Sequence, residues 1–214
     1  IEDTRITDLG GGETGLYGNN VDSVVVRRSR FSDINDYVIR LRAYAYSGGG
    51  RVPAASSVAL VVDSSRFLRN GYEDIRADGL RSAVITHTVI DTRGHYGNPL
   101  NLYGVDSAYV RLVGDSILLD HDQPYNSTNS WFNGDGFDSV TVDSTRAVGA
   151  SCGYMGGGVD YVRVRNSSFT ESGSSYYCNY YVSPPALLYV SPNRLPTATV
   201  VVRGREEGWI GIAS

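Results

Sequence analysis

The chain has 214 residues, 41% of them apolar, and a formal charge of -4. That length can bury a sizeable core as one or two domains, and the acidic balance excludes the basic footprint of a nucleic-acid binder. No apolar run approaches the roughly 18 residues of a membrane span, and the opening IEDTRITDLG is not a signal peptide, so the chain as given is expected to be soluble.

A start at Ile1 rather than Met predicts processing or a longer parent chain. All 19 basic residues are Arg, which a GC-rich genome explains without any function. The 25 Gly and 16 Tyr suit a chain of tight turns with an aromatic exterior.

Taken in order, residues 1–20 contain GGGETGLYGNN and are expected to form a partial N-terminal turn. From Val21 one short pattern returns: VDSVVVRRSRF at 21–31, SVALVVDSSRF at 57–67, RSAVITHTVI at 81–90, FDSVTVDSTRA at 137–147 and VDYVRVRNSSF at 159–169. With the first inward apolar residue as register mark, the copies begin at Val24, Leu60, Ala83, Val110, Val140, Val162 and Val200. Apolar residues at the mark and two places later give the period of a strand with one buried face. Ser, Thr or Asp follows at the fifth place and an apolar residue at the seventh (Phe31, Phe67, Ile90, Ile117, Ala147, Phe169).

A second short strand comes later in each copy, as in DYVIRL, YEDIRA, GNPLNL and PALLYV. Long insertions at 43–56, 120–136 and 170–185 carry no strand pattern of their own and are expected on one flank. Strands that recur in the same sense without helical crossovers can pair only by winding, so each copy should lie on the next.

The cadence V-x-V-x-x-S-x-F with a later short strand resembles the right-handed parallel β-helix repeat of the pectate lyase and phage tailspike superfamily. The resemblance implies an all-β, right-handed, single-stranded parallel β-helix of about seven turns over residues 21–202, with 203–214 as a C-terminal tail or docking segment. That superfamily includes lyases, hydrolases, epimerases, spikes and inert stalks, so the fold does not fix the activity. The DPHE run of alginate epimerases and the paired-Asp and GHG signatures of polygalacturonases are missing, and NGDGFD at 133–138 reads as a Gly-rich turn.

Stacking makes equal offsets neighbours. Three places after the mark, Arg27 meets Asp63 and Asp143 meets Arg165, two expected surface pairs. Asp22, Asp138 and Asp160 sit two places before the mark as turn formers. About twelve places after it fall Asp36, Glu73, Arg93, His95, Asp120, His121 and Asp122. This set suits proton transfer on a sugar acid, with a carboxylate or His as base and Arg93 for the substrate carboxylate. A divalent cation near Asp120 and Asp122 is the other reading of the same edge. His87 is expected to be a solvated turn residue.

Tyr96, Tyr103, Tyr125, Tyr154, Tyr176, Tyr177, Tyr180 and Tyr181, with Trp131, are candidates for stacking on sugar rings or for packing on a partner. Cys152 and Cys178 read either as one bridge or as two reduced thiols. Asn126 and Asn166 lie in glycosylation sequons. No Walker loop, zinc spacing, nucleophile elbow or calcium nonapeptide occurs.

Together these features predict a protein of the cell exterior, cell surface or virion. It would act as a spike, stalk or filament module that contacts polysaccharide or further subunits through a Tyr-rich flank and open ends. An enzyme acting on an acidic glycan is the alternative.

Overall fold

The computed structural model describes residues 1–47, 50–53, 57–93, 98–119, 130–149, 152–157, 161–170, 188–191, 199–203 and 210–212. It is all-β: among the described residues there is no helix, and strands pair in parallel except in one hairpin. The strands stack as three open ladders, an arrangement consistent with a parallel β solenoid.

The second ladder carries the repeat. Its strands include Ser23–Arg27, Val58–Asp63, Ser139–Asp143, Tyr161–Arg165 and Thr199–Arg203, joined by the later halves of Ile75–Thr86 and Leu100–Val113. Every register mark is paired with the next: Val24 with Leu60, Leu60 with Ala83, Ala83 with Val110, Val110 with Val140, Val140 with Val162, and Val162 with Val200. The apolar residues two places on complete an inward face, and Val26, Val62, Ile85, Leu112, Val142 and Val164 are buried.

The third ladder runs through Arg5–Thr7, Arg30–Ser32, Arg66–Leu68, Val89–Asp91, Ser116–Leu118, Arg146–Val148 and Ser168–Thr170. It aligns Ile6, Phe31, Phe67, Ile90, Ile117, Ala147 and Phe169 in one file. The Phe31 and Phe67 rings stack within it, 5.1 Å apart and 11° from parallel. The first ladder follows each third-ladder strand and includes Leu16–Asn19, Ile39–Arg42, residues 75–78 and 100–103, and Ser130–Asp135. Ile39, Ile75, Leu100 and Phe132 form its buried file.

The corner between the second and third ladders follows one backbone plan in the described copies. One residue four places after the mark takes a left-handed conformation: Arg28, Ser64, His87, Gly114, Ser144 and Asn166 all have φ between 47° and 68°. Except at Asp115, the next residue is a buried hydroxyl that donates to the carbonyl two residues back, as Ser29 does to Arg27, Ser65 to Asp63, Thr88 to Thr86 and Ser167 to Arg165. The same oxygen accepts the backbone N–H of the preceding copy, as Ser65 does from Ser29 at 3.2 Å and Ser167 from Thr145 at 3.2 Å. A buried N–H with no ladder partner is thereby satisfied.

Residues 1–7 form one more copy below the first. The Ile1 amino group donates to Val25 at 2.7 Å, Arg27 N–H donates to Ile1, and the Thr4 hydroxyl donates to Glu2 in the corner fashion.

Three sequence expectations change. The 43–56 insertion has structure of its own, an antiparallel hairpin of Tyr44–Ser47 with Gly50–Pro53. The 120–136 insertion ends in a ladder strand, Ser130–Asp135, so the NGD of NGDGFD is strand and not turn. Arg27 and Asp63 are register neighbours, yet no ion pair joins them among the described residues. The Asp63 carboxylate instead takes the Thr86 hydroxyl at 2.7 Å and faces His87 at 3.6 Å. Arg165 does pair with Asp143 at 2.7 Å, and His87 is an exposed turn residue.

Candidate functional site

The outward positions of the first ladder lie between its buried ones. They form two columns, Tyr17–Arg40–Arg76–Asn101–Asn133 and Asn19–Arg42–Asp78–Tyr103–Asp135. Tyr37, Tyr72 and Glu73 stand beside them on the turns that enter the strands. Arginines and aromatic rings alternate here: Arg40 lies 4.1 Å from the Tyr37 ring centre, Tyr72 meets Tyr37 edge-on at 5.1 Å, and Arg76 lies 5.9 Å from Tyr103. Each guanidinium gains from the ring quadrupole beside it. Tyr17 and Tyr72 remain 52% and 44% exposed, so flat rings face outward at this end of the row.

A polar cluster sits in the middle of the face. Glu73 is 5% exposed; its Oε1 accepts from Asn101 Nδ2 at 2.9 Å and lies 3.5 Å from Arg76. Arg76 also lies 3.9 Å from Asp78, and Asn133 donates to Asn101 at 3.2 Å. Burial raises the Glu73 carboxyl above its ordinary range, against the opposing pull of Asn101 and Arg76. Glu73 Oε2 and Asp78 Oδ1 are buried without hydrogen-bond partners. A desolvated carboxyl held between an amide donor and a guanidinium is a candidate for acid–base chemistry.

Of the predicted proton-transfer residues, Glu73 belongs to this cluster. Asp36 stands apart at a turn, facing the Thr14 hydroxyl at 3.5 Å. Arg93 is exposed and doubly bonded to Asp91 at 2.8 and 2.6 Å, so its charge is matched by a carboxylate of its own turn. His95, Asp120, His121 and Asp122 lie outside the described residues, and the proposed cation position lies there with them.

Among the predicted contact rings, Tyr103 is on the face. Tyr154 is paired in register with Phe132 and Leu188. Tyr96, Tyr125, Tyr176, Tyr177, Tyr180 and Tyr181 fall outside the described residues. Trp131 is a correction: it is 1% exposed and packs at 5.8 Å on Phe132 inside the core. Its place precedes Phe132, which aligns it with Pro99, Asp74 and Val38 in an interior corner file where all four are buried. The Cys152–Cys178 question and Asn126 also lie outside what is described.

Tyr17, Tyr37, Arg40, Tyr72, Arg76, Asp78 and Asn101 were not singled out by sequence. The signal was present in the alternation of VIRLR, DIRAD and PLNLY, where the polar residues between inward apolar ones must point outward.

Comparison of the chain with protein-family models, with curated proteins and with solved structures finds no match.

Proposed function

We propose that the chain is a right-handed parallel β-helix of about seven turns that serves as a structural or assembly module of a cell or virion surface and holds polysaccharide along the outer face of its first ladder. The observation that carries this reading is the continuous row of rings and guanidinium groups from Tyr17 through Arg40, Tyr37, Tyr72 and Arg76 to Tyr103. Exposed rings offer stacking area to sugar faces, and planar guanidinium groups recognise the carboxylates or sulfates of an acidic glycan. Strand-borne residues repeat along the stack at the ladder spacing, about 4.8 Å, which suits a long ligand better than a small one.

The test is binding of acidic and neutral polysaccharides by affinity electrophoresis. Tyr72→Ala and Arg76→Ala are each expected to weaken retention on acidic chains by about tenfold. Retention unchanged in both variants, or no retention of any polysaccharide by the parent chain, refutes the proposal.

One observation favours an enzyme on the same face, the buried Glu73 carboxyl beside Arg76 and Asn101. New reducing ends or unsaturated products released by the parent chain and abolished in Glu73→Gln would support that second reading. Their absence across acidic polysaccharides would leave the binding role.

A further inference from the structure

Among the described residues, the corner file between the second and third ladders holds one member that is not a hydroxyl. Ser29, Ser65, Thr88, Thr145 and Ser167 each donate to the carbonyl two residues back. In the copy between Thr88 and Thr145 the place belongs to Asp115, which is 3% exposed. Asp115 Oδ1 accepts the Thr88 backbone N–H at 2.8 Å, as the hydroxyls do from their own neighbours. Its Oδ2 is buried and has no hydrogen-bond partner. An ionised carboxylate has no hydrogen to give, so the donation made elsewhere in the file needs a proton on this oxygen.

We propose that Asp115 is carried as a neutral carboxylic acid in the corner file, taking the donor part of the missing hydroxyl towards the Val113 carbonyl, and that loss of this proton loosens the stacking of its copy on the next. The fold would then contain a built-in pH response, tight in mild acid and weaker at and above neutrality.

The surroundings agree with this. Burial pushes the Asp115 carboxyl up to about 7, against the lowering effect of the backbone bonds from Thr88 and Val113. The titratable groups facing this corner are Asp63, which disfavours a second negative charge, and His87, whose ring lies against Gly114. Asp143 is also near, with its carbonyl taking the Gly114 N–H and its carboxylate held by Arg165 and Asn166. Thr88 and Thr145, below and above in the file, carry no charge. Because the folded chain holds a proton that the unfolded chain releases at the ordinary carboxylate value, stability falls as pH rises between about 4 and 7. The carboxyls lowered by partners, Asp63 and Asp143 among them, act below that window.

The experiment is urea unfolding of the full chain against pH, in the parent and in Asp115→Thr, which keeps the hydroxyl of the file and removes the titration. The parent's unfolding constant is expected to rise with pH more steeply than the variant's, by about tenfold per pH unit across the window. Equal slopes overturn the proposal. A second measurement serves if the variant does not fold: infrared spectra of an Asp74→Asn chain labelled at Asp carboxyl carbons, because Asp74 in the parent would give a band over the same range. A protonated carboxyl band is expected near pH 5.5 and should be gone by about pH 8.5; an Asp74→Asn spectrum with no such band overturns the proposal.

Discussion

The Phe31 and Phe67 rings are 36 residues apart in sequence and 5.1 Å apart in space, so they offer a direct energetic reading of stacking. Both are fully buried, with Ile6 aligned below and Ile90 above. Replacing either ring by Leu removes apolar area worth about 1 to 2 kcal/mol. The ring pair itself adds about 0.5 to 1.5 kcal/mol beyond area burial. A double-mutant cycle of Phe31→Leu and Phe67→Leu is therefore expected to show a coupling of that second size. The total loss stays inside the about 5 to 15 kcal/mol of a typical domain, so every member of the cycle should remain folded. Urea unfolding followed by tyrosine fluorescence and circular dichroism supplies the four free energies. Phe31→Leu combined with Ile117→Val, three steps along the same file, serves as the additive control. A coupling below about 0.3 kcal/mol for the adjacent pair would refute the stacked file.

Three further outcomes follow from individual residues. Asp74 lies in the interior corner file between Val38 and Pro99, and burial pushes its carboxyl up to about 7. Its contribution is therefore complete below the ordinary carboxylate value and lost as pH rises through about 7, so Asp74→Asn should stabilise the chain at pH 8 by on the order of 2 to 4 kcal/mol and by much less near pH 4; an equal effect at both pH values in urea titrations would contradict this. Gly104 faces the Gly136 carbonyl and the Phe137 ring so closely that a Cβ has no room; Gly104→Ala should cost about 1 to 3 kcal/mol by thermal unfolding, and a neutral result would mean the strands are farther apart there. Arg165→Ala frees the Asp143 carboxylate and should cost only about 0.5 kcal/mol, vanishing in high salt, because the pair is partly exposed; a salt-independent loss would point to packing instead.

The parts of the fold that sequence made visible are those where the pleat forces a pattern. In the second ladder, Val24, Leu60, Ala83, Val110, Val140 and Val162 each had an apolar partner two places on because one face is buried, and their pairing in the structure has that register. Residues 1–20 were expected as a partial N-terminal turn on their glycines; the Thr4 hydroxyl and Ile6, which match Ser29 and Phe31 of the first copy, were not read as a repeat.

The outer face of the first ladder was less visible, because offsets about twelve places after the mark were searched for charge and not for rings. Tyr37 and Tyr72, at those same offsets, were passed over. Trp131 misled because an aromatic residue beside a long insertion reads as surface, whereas the corner adds a second inward position just ahead of Phe132. Insertions vary in length, so counting from the mark did not reach Ser130–Asp135, which rejoins the ladder register at the end of one of them. Asp115 fell within the Ser, Thr or Asp of the fifth place; its burial and unpartnered oxygen set it apart only in the structure.

Spin-label distances along the outer column Val25–Val61–Val84–Arg111–Thr141–Arg163 would separate stacking from any other arrangement of these strands. With Val25→Cys as the fixed point, Thr141→Cys is four steps away and Arg163→Cys five, so backbone separations of about 19 and 24 Å are expected at about 4.8 Å per step. Distances that grow with the number of copies crossed, whatever the residues between, agree with files of equivalent side chains. Distances that track sequence separation instead, or that fail to increase from Thr141 to Arg163, would contradict them.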